Sequence, residues 1–160
     1  MTANSRAAMF GCVILSSDVP DRHTVTLSEL RKRERDPAVV AWFDQQRTTE
    51  LFLSVISIGE IERGIAQQRA TDPRFAESLA AWLDRALALY GERVLAFDLQ
   101  TARRWGTLSA ALGNASADLM IAATALEHGL TVVTRDASDF RPTGVPVLNP
   151  FKPRAVDRRS

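Results

Sequence analysis

Cysteine is nearly absent from this chain. Cys12 stands alone among 160 residues, so no internal disulfide framework can form. Histidine is almost as scarce: with only His23 and His128, no Cys/His cluster has the spacing of a zinc site. No apolar run approaches the roughly 18 residues of a membrane span. The longest near the start, Val13-Ile14-Leu15, is too short for a signal-peptide core. These absences point to a soluble protein of the reducing cytoplasm with no membrane partner. A charge excess is missing too, because 20 Lys and Arg nearly cancel 19 Asp and Glu. No global basic field announces a nucleic-acid partner, and a local groove stays open. Gly59, Gly64, Gly91, Gly106 and Gly113 never take the spacing of a Walker A loop or a dinucleotide fingerprint, and no Gly-x-Ser-x-Gly elbow occurs. A doubly wound small-molecule enzyme therefore has nothing to work with.

What is present suits one compact domain, since 46% of the residues are hydrophobic and the length allows a single core. Residues 1–9 read as an N-terminal extension and residues 10–151 as the domain. Residues 152–160 form a basic tail with little that could pack, expected to be disordered. Within the domain, apolar strand-like runs alternate with segments of helical period, the pattern of an α/β fold with a mostly parallel sheet.

Residues 10–15 read as the first strand, followed by a mixed stretch to 26 and a helical segment from Leu27. Asp36-Pro37 and Asp72-Pro73 are helix openings, each a capping Asp followed by Pro at the first helical position. After the second, Phe75, Leu79, Trp82, Leu83, Ala86, Leu87 and Tyr90 recur at helical spacing and predict the longest helix. Residues 51–56 read as a buried central strand ended by Ser57. Asp98 is an expected N-cap, with Trp105, Leu108 and Leu112 on one helical face. The segment 116–128 is apolar nearly all round, hence a buried helix, and Gly129 stands where a left-handed cap is wanted. Strands at 94–97, 131–134 and 145–148 complete the set.

Three acids occupy places that packing does not require. Glu60 follows the strand 51–56, Asp118 lies in the first turn of the buried helix, and Asp136 follows the strand 131–134. Ligands of open parallel sheets bind outside the carboxyl ends of the strands. Carboxylates gathered there repel one another, and Mg²⁺, which takes hard oxygen ligands together with water and phosphate, is the natural compensator. Each acid also has a plainer role. Ser57-x-x-Glu60 fits a capping box, Asp118 complements a helix dipole, and Asp136 and Asp139 suit Asx-turns. Trp42, Trp82 and Trp105 lie on or beside apolar helix faces and read as core rather than base-stacking platforms. His128 reads as facing solvent or its helix C-terminus, and Cys12 as a buried, inert thiol.

The segments carrying the acids resemble a known family. Leu53-Ser54-Val55-Ile56-Ser57-Ile58-Gly59-Glu60-Ile61-Glu62-Arg63-Gly64, then Asp118-Leu119-Met120-Ile121-Ala122-Ala123-Thr124-Ala125, then Leu130-Thr131-Val132-Val133-Thr134-Arg135-Asp136, with Asn149-Pro150-Phe151 closing the domain, are similar to the motifs of PIN-domain toxins of the VapC type. The resemblance covers roughly residues 27–151. It implies a PIN-like α/β/α sandwich with a mostly parallel central sheet, and an acidic site holding Mg²⁺ or Mn²⁺ that hydrolyses RNA phosphodiesters with a metal-activated water. Glu60, Asp118 and Asp136 match three of the family's four acids, with Asp139 a weaker stand-in for the last. A cognate antitoxin laid over the acidic groove and a homodimer are implied as partners.

The front of the chain departs from the pattern. The family generally ends its first strand with Asp-Thr-Asn-Val before the helix, whereas here His23-Thr24-Val25-Thr26 precedes Leu27-Ser28-Glu29-Leu30. A gapless count puts His23, a poor Mg²⁺ ligand, where the first metal-binding Asp belongs. If the strand is instead 12–17, Asp18 stands at its carboxyl end as the fourth ligand, with Asp21 as second choice. Without either, the expected protein is a PIN-like module that binds antitoxin or RNA without cutting.

Overall fold

The computed structural model describes residues 14–16, 51–134 and 136–149. In chain order these form β1 (Ile14–Ser16), β2 (Leu51–Ser54), α1 (Val55–Thr71), α2 (Pro73–Tyr90), β3 (Val94–Leu95), α3 (Leu99–Leu112), α4 (Ala117–His128), β4 (Thr131–Val133), α5 (Ala137–Phe140) and β5 (Val147–Leu148). The expected alternation of strands and helices is present. The opening at Asp36-Pro37, Trp42 and Cys12 lie outside the described residues.

The strands form one sheet in the order β3-β2-β1-β4-β5. Both flanks are parallel: Leu53 pairs with Val94 across β2 and β3, and Val132 with Val147 across β4 and β5. The central β1 runs antiparallel to both neighbours, with Ile14 opposite Leu53 and Val133, and Ser16 opposite Leu51 and Thr131. The carboxyl end of β1 thus meets the amino ends of β2 and β4.

Alternation along β2 shows the layering. Leu51 and Leu53 are buried in a cluster with Ile61 and Ile65 of α1 and Leu79 and Leu83 of α2. Phe52, between them, packs against a second cluster built from Ile121, Ala122 and Ala125 of α4 with Val132 and Phe140. Successive side chains of a strand point to opposite faces. A strand that feeds two apolar clusters must lie between two layers, which is the α/β/α arrangement.

Local chemistry sets most helix ends as expected. Asp72 Oδ1 accepts from Phe75 N–H at 3.1 Å, and Pro73 takes the first helical position of α2. Asp98 Oδ1 accepts from both the Thr101 N–H at 2.9 Å and its hydroxyl at 2.8 Å, which starts α3 and holds the Asp98 carboxyl below its usual range. Gly129 closes α4 with φ 65, a left-handed conformation that costs a side chain with Cβ about 1–2 kcal/mol. Arg93 then ties α2 to the sheet, donating to Leu89 O at 2.9 Å and Leu51 O at 3.3 Å while its guanidinium lies 4.9 Å from the centre of the Tyr90 ring.

One boundary is corrected. The strand expected over 51–56 stops at Ser54, whose hydroxyl accepts from Ile56 N–H at 3.1 Å and starts α1 three residues earlier than the sequence suggests. Ser57 is therefore inside the helix and buried, and the N-cap is Ser54.

Candidate active site

The corrected start of α1 changes the meaning of Glu60. A capping-box glutamate sits three residues after the cap, and with Ser54 as cap that place belongs to Ser57. Glu60 lies in the second turn, so no orphan N–H requires it. Its carboxylate instead accepts from Arg63 one turn later, Nη2 to Oε2 at 3.1 Å. The spacing of three residues that permits this pair is legible in the sequence.

Asp118 is the second residue of α4, whose cap is Ser116, with Leu119 N–H donating to its hydroxyl at 3.4 Å. If Asp118 served only the helix dipole, the helix would hold its carboxyl at a low pKa. The carboxyl is instead pushed up, first by burial and then by the negative charges of Asp139, Asp136 and Glu60. This half-buried carboxyl of α4 thus lies within electrostatic reach of acids from α1 and from the segment after β4. Among the described residues, none of the charges acting on it is positive.

Asp136 follows β4 at the carboxyl edge of the sheet, where its backbone N–H donates to Thr134 Oγ1 at 3.1 Å. Its own side chain makes no capping bond to the short α5, so the plainer Asx-turn role is not the one it plays. Asp139 sits in α5, its N–H donating to Asp136 O at 3.2 Å, and both acids are exposed. Asp139 acts on Asp118 more strongly than Asp136 does. Sequence spacing ranked the two the other way, because it measures distance along the chain and not across to α4.

Contact between α1 and α4, which cover opposite faces of the sheet, brings the segments carrying Glu60 and Asp118 near each other. Asp18, Asp21 and His23 lie outside the described residues. Among the described residues, no three acid, His or Cys side chains stand close enough to enclose one ion by themselves. The donor set is nonetheless of the kind Mg²⁺ takes. That ion uses hard oxygens, commonly one or two carboxylates, and fills its remaining positions with water and substrate phosphate. The negative field at Asp118 is of the sign that draws a cation in.

The remaining candidates fall where packing puts them. Trp82 lies against the α1/α2 cluster, and Trp105 meets Phe97 edge-on with ring centres 6.4 Å apart. His128 is exposed at the end of α4. Among the described residues, no helix is long and apolar enough to cross a membrane.

Comparison with known proteins agrees with this fold. The family model of the PIN domain matches residues 24–144. A VapC ribonuclease of Sinorhizobium fredii, Y4jK, is 40% identical over 137 residues, spanning 81% of this chain and 96% of the relative. Toxin FitB of Neisseria gonorrhoeae is 31% identical over 139 residues, spanning 80% of this chain and 95% of the relative. The crystal structure of FitAcB from the same organism superposes with a TM-score of 0.69 at 32% identity, covering 79% of this chain and 94% of that one. The chain belongs to the PIN-domain family, and its relatives at this level include named ribonucleases and toxins.

Proposed function

We propose that this chain is a metal-dependent endoribonuclease of the VapC toxin type, which hydrolyses RNA phosphodiesters and is restrained by a cognate antitoxin. The observation that carries the reading is the raised pKa of Asp118 under the combined field of Asp139, Asp136 and Glu60 at the carboxyl edge of β2 and β4. Such like-charge crowding costs stability and marks a functional site more often than a structural one. Glu60, Asp118 and Asp136 would hold Mg²⁺ or Mn²⁺. When bound, the ion supplies Lewis acidity that favours attack by water and offsets negative charge on the phosphoryl oxygens.

The residues of the chain divide the work. Asp118, half-buried in the first turn of α4, would form the floor of the site. Glu60 and Asp136 stand nearer solvent, from which RNA arrives. Because Asp118 binds protons more tightly than an ordinary carboxyl, a cation that ligates it must displace a proton as pH falls toward that raised value.

The similar structures FitAcB and FitAB are of toxin–antitoxin complexes, FitAB being bound to the IR36 DNA fragment. That likeness supports an antitoxin partner here; action in the cytoplasm as a homodimer belongs to the same proposal. One observation favours the non-cutting module instead: Ser16 ends β1 beside Leu51 and Thr131, at the edge away from Asp136. Cleavage of total RNA by the purified protein, with Mg²⁺, with EDTA and with Asp118→Ala beside it, separates the two. Metal-dependent cutting lost in the variant supports the nuclease. A folded protein that binds its antitoxin and cuts nothing supports the module.

A further inference from the structure

We infer that Arg63 is the substrate-positioning residue of this site, held by Glu60 until an RNA phosphate takes its place. The inference rests on the nuclease reading and adds the group that recognises the phosphodiester. A site of carboxylates alone repels a polyanion, and among the described residues the charges acting on Asp118, those of Asp139, Asp136 and Glu60, are negative. Arg63 is a cation in direct contact with a site acid, one helical turn beyond Glu60 with Nη2 to Oε2 at 3.1 Å.

The geometry suits exchange of partners. The Arg63 side chain is 63% exposed, so its fork can reach solvent without unpacking α1. An exposed ion pair of this spacing contributes little, and giving it up costs little. An Arg–phosphate contact is commonly bidentate and charge-assisted, and so stronger than the pair it replaces. Transfer of Arg63 to phosphate also leaves the Glu60 carboxylate available to a cation, which couples RNA arrival to completion of the acidic site.

The test uses Asp118→Asn protein, which keeps the site's shape and spares the RNA, with and without Arg63→Gln or Arg63→Lys. Binding of a fluorescent single-stranded RNA is followed by anisotropy over a range of salt. Arg63→Gln is expected to weaken binding about tenfold. It should also flatten the plot of log K against log salt by about 0.7, the value for one phosphate contact on a single strand. Arg63→Lys should recover the slope but only part of the affinity, because it keeps the charge and loses the fork. In otherwise wild-type protein, Arg63→Gln should raise KM with kcat little changed, and calorimetric Mn²⁺ affinity should not fall. Unchanged RNA affinity and slope, or a loss of Mn²⁺ affinity that accounts for the defect, overturns the role of Arg63 while wild-type cleavage leaves the nuclease reading intact. Absence of both RNA binding and cleavage in wild-type protein overturns both.

Discussion

Replacing Asp118 by Asn should make the metal-free protein more stable and the metal response smaller. Asp118 binds protons more tightly in the folded chain than in the unfolded one, because it is buried beside Asp139, Asp136 and Glu60. For an acid shifted upward, the folded state holds more protons over the window between the ordinary value near 3.8 and the raised one. The contribution to stability is therefore full below the ordinary value, falls as pH rises through the window, and becomes a constant penalty above it. Asn carries no charge and escapes the penalty. In EDTA at pH 8, Asp118→Asn should melt above wild type, and the difference should shrink as pH is lowered toward 3.8.

Metal reverses the order. Ligand at one hundred times its Kd stabilises by about 2.7 kcal/mol, which for a chain of this length is roughly 5–10 °C in Tm. Wild type should gain on that scale with Mg²⁺ or Mn²⁺, and Asp118→Asn should gain much less. Differential scanning fluorimetry across pH, with metal and with EDTA, reads both effects. An Asp118→Asn protein that melts below wild type in EDTA at pH 8, or that gains as much from metal, would refute the view that this carboxyl is crowded by the other acids and relieved by a cation.

Two further substitutions test the frame that carries the site. Ser54→Ala should cost about 1 kcal/mol by leaving the Ile56 N–H without its cap, and lower Tm by roughly 2–4 °C. Leu53→Ala, at a residue with 0% exposure in the cluster between sheet and α2, should cost about 2–5 kcal/mol and move the urea midpoint accordingly.

The parts of the fold legible in the sequence are those set by neighbours in the chain. Asp72-Pro73, Asp98 and Gly129 act within one helical turn of themselves, and each begins or ends its helix where the residues say it should. The start of α1 was not legible because Ser54 and Ser57 both suit an N-cap. Sheet pairing decides between them: Leu53 and Ser54 pair with Val94 and Leu95, and the strand ends there. The direction of β1 was hidden for a similar reason. Three residues carry no periodicity of their own, and their neighbours in the sheet come from residues 51–53 and 131–133.

The site was legible in part. Glu60, Asp118 and Asp136 stood out as acids that packing did not need, and α1, α4 and β4 bring their segments to one region. What the sequence missed was lateral. Asp139 lies far from Asp118 along the chain and yet acts on it more than Asp136 does, and the Arg63 contact depends on Glu60 being free of a cap.

The most direct test of the central claim is the rate at which purified protein cuts a defined single-stranded RNA in Mg²⁺, compared with Glu60→Gln, Asp118→Asn, Asp136→Asn and Asp18→Asn. Cutting that requires metal and falls by orders of magnitude in each of the first three variants is the predicted result, and Asp18→Asn then shows whether the front of the chain supplies a further ligand. Metal-dependent cutting that persists with Asp118 replaced, or no cutting by a wild-type protein that still binds its antitoxin, would contradict the account.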